Sequence, residues 1–316
     1  MVQLSHPILA EVTEDLSSQR NCPLCNTSSY RVECFARDEL RNKEHRLYRY
    51  VKCLACGTVY LNPLPHFNNL SELYSSDYHI WNKNRIKLFF HYALIDLPQY
   101  QQVKRFRKSG SLLDIGCGMG TFLACLQGKG GWVVAGTEPS SYGCEAAFKE
   151  FGLSLWQGTL EEASFEERSF DVITLWDVLE HVENPRLLLK EIFRLLREDG
   201  IFLMTMPNID SLDFPLFKGR WYYLTAPYHF SFFTPQRLLS LLREEGFTII
   251  SARTTLLSLY DTAFCSVQWC LRERGKILFL LGPLLGIMVC VLGTPFFLVA
   301  NFFKKGSRII AVARKS

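Results

Sequence analysis

The stretch LLDIGCGMGTF, residues 112–122, constrains this chain more than any other: an apolar run ends in Asp114 and glycines follow at 116, 118 and 120. An apolar run leading into alternating glycines predicts a buried parallel strand that feeds a tight turn and then a helix. Glycine opens backbone angles closed to other residues and removes the Cβ atoms that keep a ligand off the main chain. Such a loop, with a helix N-terminus behind it, suits a nucleotide-type cofactor. Alone the pattern is weak evidence, so its neighbours must carry the reading.

After the loop, residues 121–128 have helical composition, and WVVAGTE (132–138) reads as a second strand ending in an acid. Glu138 lies 24 residues after Asp114, close to the spacing of about 20 at which a second-strand carboxylate meets a ribose. A solvated loop glutamate is the alternative. The third glycine comes two residues after the second, and Thr121 stands where a dinucleotide fingerprint needs glycine. That departure favours a cofactor without a pyrophosphate. SFDVITLWDVLEHVENP (169–185) supplies a further strand, Phe170 to Leu175, followed by Asp177, Glu180 and His181. An amphipathic helix from Pro185 to Arg197, stopped by Asp199-Gly200, precedes the strand IFLMTMPN.

Taken in order over residues 110–210, LLDIGCGMG, GTEPS, SFDVITLWDVLEHVENP and REDGIFLMTMPN resemble a class I S-adenosylmethionine-dependent methyltransferase. The resemblance implies an α/β fold, a Rossmann-like seven-stranded sheet with helices on both faces, and S-adenosylmethionine as cofactor. It places the loop of Gly116, Cys117, Gly118 and Gly120 under the methionine part, with Asp114 helping to hold the amino-acid end. Glu138, with Pro139 beside it, would bind the ribose hydroxyls, and Leu160 and Glu161 would border the adenine. Trp176 and Asp177 would face cofactor and acceptor, although simple packing explains Trp176 equally well.

The chain has 316 residues and eleven cysteines, and its first twenty residues lack the pattern of a secretory signal. That combination fits a reducing compartment, where thiols serve as ligands or core residues. Cys22 and Cys25 (CPLC) and Cys53 and Cys56 (CLACG) form two Cys-x-x-Cys knuckles with 27 residues between them. They read as two turns presenting four thiolates to one tetrahedral Zn²⁺, with a disulfide, iron or a redox dithiol as alternatives. A closed four-sulfur site would be structural. The stretch from CPLC to LYSSDYH also resembles the zinc-binding module ahead of some methyltransferase domains, including sugar C-methyltransferases.

The expected organisation is a zinc ribbon over 1–62, a helical linker or lid over 63–109, and a methyltransferase core over 110–276 with an acceptor cap at 207–236. An apolar segment at 277–303 and a last core strand at 304–316 complete it. Tyr78 and His79 in the linker are candidates to reach the site. The cap is rich in aromatics and interrupted by Pro207, Pro215, Pro227 and Pro235. His229 is the candidate base, since an imidazole of pKa about 6.5 can take a proton from an attacking hydroxyl. Tyr228, His181, Tyr222 and Tyr223 stand behind it; a histidine satisfied within the cap is the alternative.

Ile277 to Phe303 is a run of 27 residues without a charge, longer than the roughly 20 apolar residues that span a bilayer. Yet 246–255 and 307–316 read as strands, and in the resembled family the sheet ends in an antiparallel pair. A single crossing would separate the two strands. The expectation is therefore a monotopic hairpin on the cytoplasmic face of a membrane, broken near Gly282-Pro283 or Gly293-Thr294-Pro295. A single-pass helix, a buried helix and a dimer contact are alternatives. Basic residues flank the segment at Arg272, Arg274, Lys276, Lys304, Lys305 and Arg308, as suits anionic lipid. A net charge of +4, from 35 basic and 31 acidic residues, is too balanced to argue for nucleic acid as a partner, and the acids Glu33, Asp38, Glu39 and Glu44 between the knuckles make the ribbon a poor phosphate surface. The expected activity is methyl transfer to a small or lipid-linked acceptor at the membrane surface, such as a glycan precursor or a quinone-like ring. An inactive cofactor-binding assembly factor and an RNA methyltransferase are the other classes considered.

Overall fold

The computed structural model describes residues 19–38, 47–65, 91–255, 266–272 and 301–315, with scattered positions from 285 to 299. In chain order the strands and helices are β1 (Tyr30–Arg37), β2 (Leu47–Cys53), β3 (Val59–Leu61), α1 (Leu97–Lys104, entered through a π-turn over Tyr92–Asp96), β4 (Gly110–Ile115), α2 (Thr121–Gln127), β5 (Trp132–Glu138) and α3 (Ser141–Phe151). There follow β6 (Trp156–Gln157), β7 (Phe170–Trp176), α4 (Pro185–Leu195), β8 (Leu196–Pro207), the short α5 (Phe214–Phe217), β9 (Ser231–Phe232), α6 (Pro235–Glu244), β10 (Phe247–Thr255), α7 (Val267–Arg272) and β11 (Arg308–Lys315). They divide between two compact units. One holds residues 1–65, 207–237 and 254–308, the other residues 66–206, 238–253 and 309–316.

The second unit is built on a seven-stranded sheet of order β10-β11-β8-β7-β4-β5-β6. The pairs β4–β5, β4–β7, β5–β6 and β7–β8 are parallel, so the α/β sheet expected from the sequence is present. Strands in the middle of a parallel sheet are covered on both faces and need near-continuous apolar runs. Leu112, Leu113, Val172, Ile173 and Leu175 meet that need and are fully buried. Val103 of α1, Phe122, Leu123 and Leu126 of α2, and Ala147 of α3 pack with Leu112, Val172 and Leu203 as one core cluster.

Helix α4 stops at Leu195, two residues short of the expected Arg197. Leu196 is already extended and pairs with Phe170, while the next pair is Val172 with Ile201. The extra residues 197–200 leave the register there, and Asp199 takes φ +58° to turn the chain back. Sheet pairing overrides helical propensity at this point.

The first unit contains a four-stranded antiparallel sheet of order β1-β2-β3-β9. Its last strand comes from far along the chain, with Tyr60 opposite Ser231 and Val59 opposite Phe232. Residues 207–236, read above as an acceptor cap, therefore lie in this unit. Tyr50, Tyr60, Trp221, Phe230, Phe232 and Phe233 are buried together as its aromatic core. The Tyr50 hydroxyl donates to the carbonyls of Leu224 (3.1 Å) and His229 (2.8 Å). Asp213 accepts from Trp221 Nε1 (2.8 Å) and from Ser307 Oγ (3.0 Å), tying down the segment that leads into β11.

Most of 277–303 lies outside the described residues, as do Tyr78, His79 and the Gly282-Pro283 break. The described positions between 285 and 302, Thr294 and Pro295 included, are helical. Met288, Val291, Leu292, Leu298, Val299, Phe302 and Phe303 are exposed, Phe302 to 83%. Among the described residues no helix is long and apolar enough to cross a membrane.

Candidate functional site

The glycine loop joins β4 to α2 at the carboxyl end of the central strand. Gly116, Gly118 and Gly120 all have positive φ, from +56° to +72°. A side chain at 118 would meet nothing within 4 Å, so its glycine serves backbone shape and leaves space above the loop open. Glu138, at the end of β5, holds that shape. One carboxylate oxygen accepts from Gly118 N at 2.8 Å and the other from Ser140 N at 2.9 Å. Gly143 in the first turn of α3 lets that helix close on the loop, because a Cβ there would lie 3.0 Å from the Gly118 carbonyl oxygen.

Over the loop lies a cavity of about 270 Å³. Asp114, Gly116, Cys117, Gly118, Trp176 and Asp177 line it, six of the residues the sequence singled out for the cofactor. Thr121, Phe122, His91 and Asp96 line it as well and were not singled out. Asp96 ends the π-turn ahead of α1 and His91 immediately precedes that turn, and no motif marks either. Gly120 lies beneath the loop, donating to Cys117 O at 2.9 Å. Glu138 acts from behind through Gly118. Leu160 is buried in the core and Glu161 is exposed. Trp176 packs edge-on against Phe122 at 5.6 Å and also lines the cavity.

His229 and Tyr228 are buried within the first unit. His229 Nδ1 lies 2.7 Å from the Tyr223 carbonyl oxygen. In the neutral ring Nδ1 therefore carries the proton and Nε2 the lone pair. His181 ends a 3₁₀ turn over Leu179–His181 in the second unit.

The four cysteines Cys22, Cys25, Cys53 and Cys56 converge in the first unit, all four Sγ atoms within 4.8 Å of one another. Cys22 to Cys56 and Cys25 to Cys53 each measure 3.5 Å. These separations approach the edge of about 3.8 Å that Zn–S bonds of about 2.3 Å give in a tetrahedron. They exceed an S–S bond of about 2.05 Å, and the thiols are free. Each knuckle turns through a left-handed residue right after its second cysteine, Asn26 at φ +57° and Gly57 at +76°. Asn26 N donates to Cys22 O and Gly57 N to Cys53 O, so the two turns repeat one design. The donor set fits a zinc ion.

The sheet order and loop geometry agree with what comparison finds. A methyltransferase domain family model matches residues 85–252, just over half of the chain. The chain belongs to the class I S-adenosylmethionine-dependent methyltransferases. An uncharacterised protein of Methanocaldococcus jannaschii is 24% identical over 61% of this chain and 88% of its own length. The mitochondrial ubiquinone biosynthesis O-methyltransferase of Schizosaccharomyces pombe is 27% identical over 47% of this chain, which spans 56% of that protein. Phosphoethanolamine N-methyltransferase 2 of Haemonchus contortus, solved with S-adenosylmethionine, shares the fold at TM-score 0.53 and 18% identity. That match covers 81% of this chain and 62% of the other.

In this methyltransferase Asp114 is 2% exposed and accepts from Thr174 Oγ1 at 2.6 Å. Burial pushes its carboxyl up to about 8 against the pull of the Thr174 hydroxyl, and the charges of Asp96 and Glu138 add to the rise. In the unfolded chain it titrates at about 3.9. Between those values the folded state keeps a proton that the unfolded state has lost, so this group makes stability fall as pH rises. The slope is at most about 1.4 kcal/mol per pH unit. Asp114→Asn keeps an acceptor for Thr174 and removes the titration. Urea midpoints at pH 5 and pH 8 are expected to differ less in the variant than in the wild type, and equal differences would refute the assignment.

Proposed function

We propose that the enzyme methylates a hydroxyl on a lipid-linked acceptor, a quinone-like ring or a polyprenyl-linked glycan precursor, while seated on the cytoplasmic surface of a membrane. The observation that carries this reading is the row of exposed apolar side chains from Met288 to Phe303, followed at once by Lys304 and Lys305. Leaving large apolar groups in water is costly, at about 25 cal/mol per Å², and basic residues beside them favour anionic headgroups. The name of the Schizosaccharomyces pombe relative supports a quinone-like acceptor. A monotopic hairpin remains our preferred form of attachment, and a single crossing the alternative.

S-adenosylmethionine supplies, when bound, a methyl carbon already electrophilic on its sulfonium. The work of this chain's residues is then to bind and align. The backbone of residues 116–120 leaves room for the cofactor, Glu138 holds that backbone, and Leu160 and Glu161 are assigned to the adenine end. Asp114, largely protonated at neutral pH, offers a hydrogen bond without a full charge. His229, with Nδ1–H on Tyr223 O and its lone pair on Nε2, is our proton acceptor for the attacking hydroxyl. Tyr228 and His181 are assigned supporting roles. A Zn²⁺ ion held by Cys22, Cys25, Cys53 and Cys56 would brace the four-stranded sheet, with every ligand position filled by the chain.

Membrane lipid extract incubated with methyl-labelled S-adenosylmethionine is expected to carry label into the organic phase. In the same assay His229→Gln should lower turnover by about 10²-fold or more. Label confined to water-soluble sugars would reject the lipid-linked acceptor, and unchanged turnover in the variant would reject the base. Metal analysis of the purified protein should find about one zinc per chain, lost together with the near-ultraviolet aromatic signal of the first unit on chelation. A metal-free, fully folded preparation would remove the zinc.

A further inference from the structure

The cavity above the glycine loop contains a buried acceptor that none of the described residues uses. Asp96, in the π-turn ahead of α1, is 2% exposed and lines the cavity. Its Oδ1 accepts from Thr121 Oγ1 at 3.1 Å and lies 3.5 Å from His91 Nε2. Its Oδ2 has no hydrogen-bond partner among the described residues. Leaving a buried carboxylate oxygen without a donor is costly, so it marks a place where a donor arrives from elsewhere. On the same cavity wall Trp176 Nε1 is a buried N–H without an acceptor among the described residues.

The donor that arrives must suit the charge of the wall. Asp96, Asp114 and Asp177 face the cavity, and among the described residues lining it there is no lysine or arginine. Asp114 already accepts a 2.6 Å bond from Thr174, and burial holds its carboxyl up at about 8, so it is poorly placed to serve as the counter-charge. A sulfonium has no N–H to give. An α-ammonium has three, and a charge-assisted bond to a carboxylate is about twice as strong as a neutral one. An α-amino acid also brings a carboxylate, an acceptor of the kind Trp176 Nε1 lacks.

We propose that Asp96 is a cofactor-binding residue whose Oδ2 receives an N–H of the α-ammonium group of S-adenosylmethionine. The inference rests on the reading of this cavity as the cofactor site. It assigns the ammonium to the turn before α1 rather than to the glycine loop or to Asp114 alone. Thr121, through its bond to Oδ1, orients the carboxylate so that Oδ2 is left for the cofactor.

Calorimetric titration of the full chain with three ligands tests it: S-adenosylmethionine, its deamino analogue, and 5′-methylthioadenosine, which lacks the amino-acid end. The wild type should bind S-adenosylmethionine about tenfold to a hundredfold more tightly than the deamino analogue. Asp96→Asn, which keeps the bond from Thr121, should lose a similar factor for S-adenosylmethionine and leave 5′-methylthioadenosine unchanged. Equal losses for S-adenosylmethionine and 5′-methylthioadenosine would assign Asp96 to the ribose or to the fold and overturn the proposal. So would equal wild-type affinity for the cofactor and its deamino analogue, a comparison that needs no variant. Failure of the wild type to bind any of the three would overturn the cofactor reading itself.

Discussion

Both oxygens of the Glu138 carboxylate accept backbone N–H groups, one from Gly118 at 2.8 Å and one from Ser140 at 2.9 Å, and the geometry around the cofactor cavity depends on this pair of bonds. Gly118 belongs to the loop after β4 and Ser140 caps α3, so one side chain at the end of β5 joins three elements. The parallel register sets up the meeting by placing Asp114 beside Gly136 and Ile115 beside Thr137. Cys117 N then donates to Thr137 O at 3.0 Å, which brings the loop within reach of Glu138, the next residue along β5. Burial raises the Glu138 carboxyl above its usual range, and the two backbone donors pull it back. The acid thus has a structural role in the cradle in addition to any contact with a ribose.

The parts of the chain that could be read from sequence are those whose cause is local. Strands β4, β7 and β8 announce themselves as apolar runs because their core-facing stretches are covered on both faces. The glycine loop announces itself because left-handed backbone needs glycine. The two cysteine knuckles share a four-residue turn whose Cys-x-x-Cys spacing suits a metal's geometry. Placement that depends on distant partners was not legible. Nothing in SFF at 231–233 says that it pairs with residues 59 and 60 to complete the N-terminal sheet, since two-residue strands have no period to detect. The early end of α4 at Leu195 was hidden for the same reason, because β7 rather than the helix decides it. Asp96 sits in an ordinary run, YALIDLPQ, and only burial and a missing hydrogen bond make it stand out.

The two units rest on different sources of order. The seven-stranded unit has a large apolar core of leucine, isoleucine and valine between strands and helices. In the four-stranded unit, buried aromatic rings pack around Tyr50 and Trp221, whose polar atoms are matched to the carbonyls of Leu224 and His229 and to the carboxylate of Asp213. Four thiols gather at one end of that small sheet, where a metal would supply order that its core alone does not. The same unit includes the exposed apolar residues of the segment before β11. Membrane attachment and acceptor recognition, as proposed, would then fall to one unit and cofactor binding to the other.

Replacing Glu138 by Gln tests the dependence of the cradle on its two carboxylate bonds most directly, because the amide keeps the size of the side chain but can accept only one of the two N–H groups well. Calorimetric titration with S-adenosylmethionine is expected to show affinity lowered by about tenfold or more, with a far-ultraviolet spectrum equal to that of the wild type. An affinity unchanged from the wild type would contradict the account.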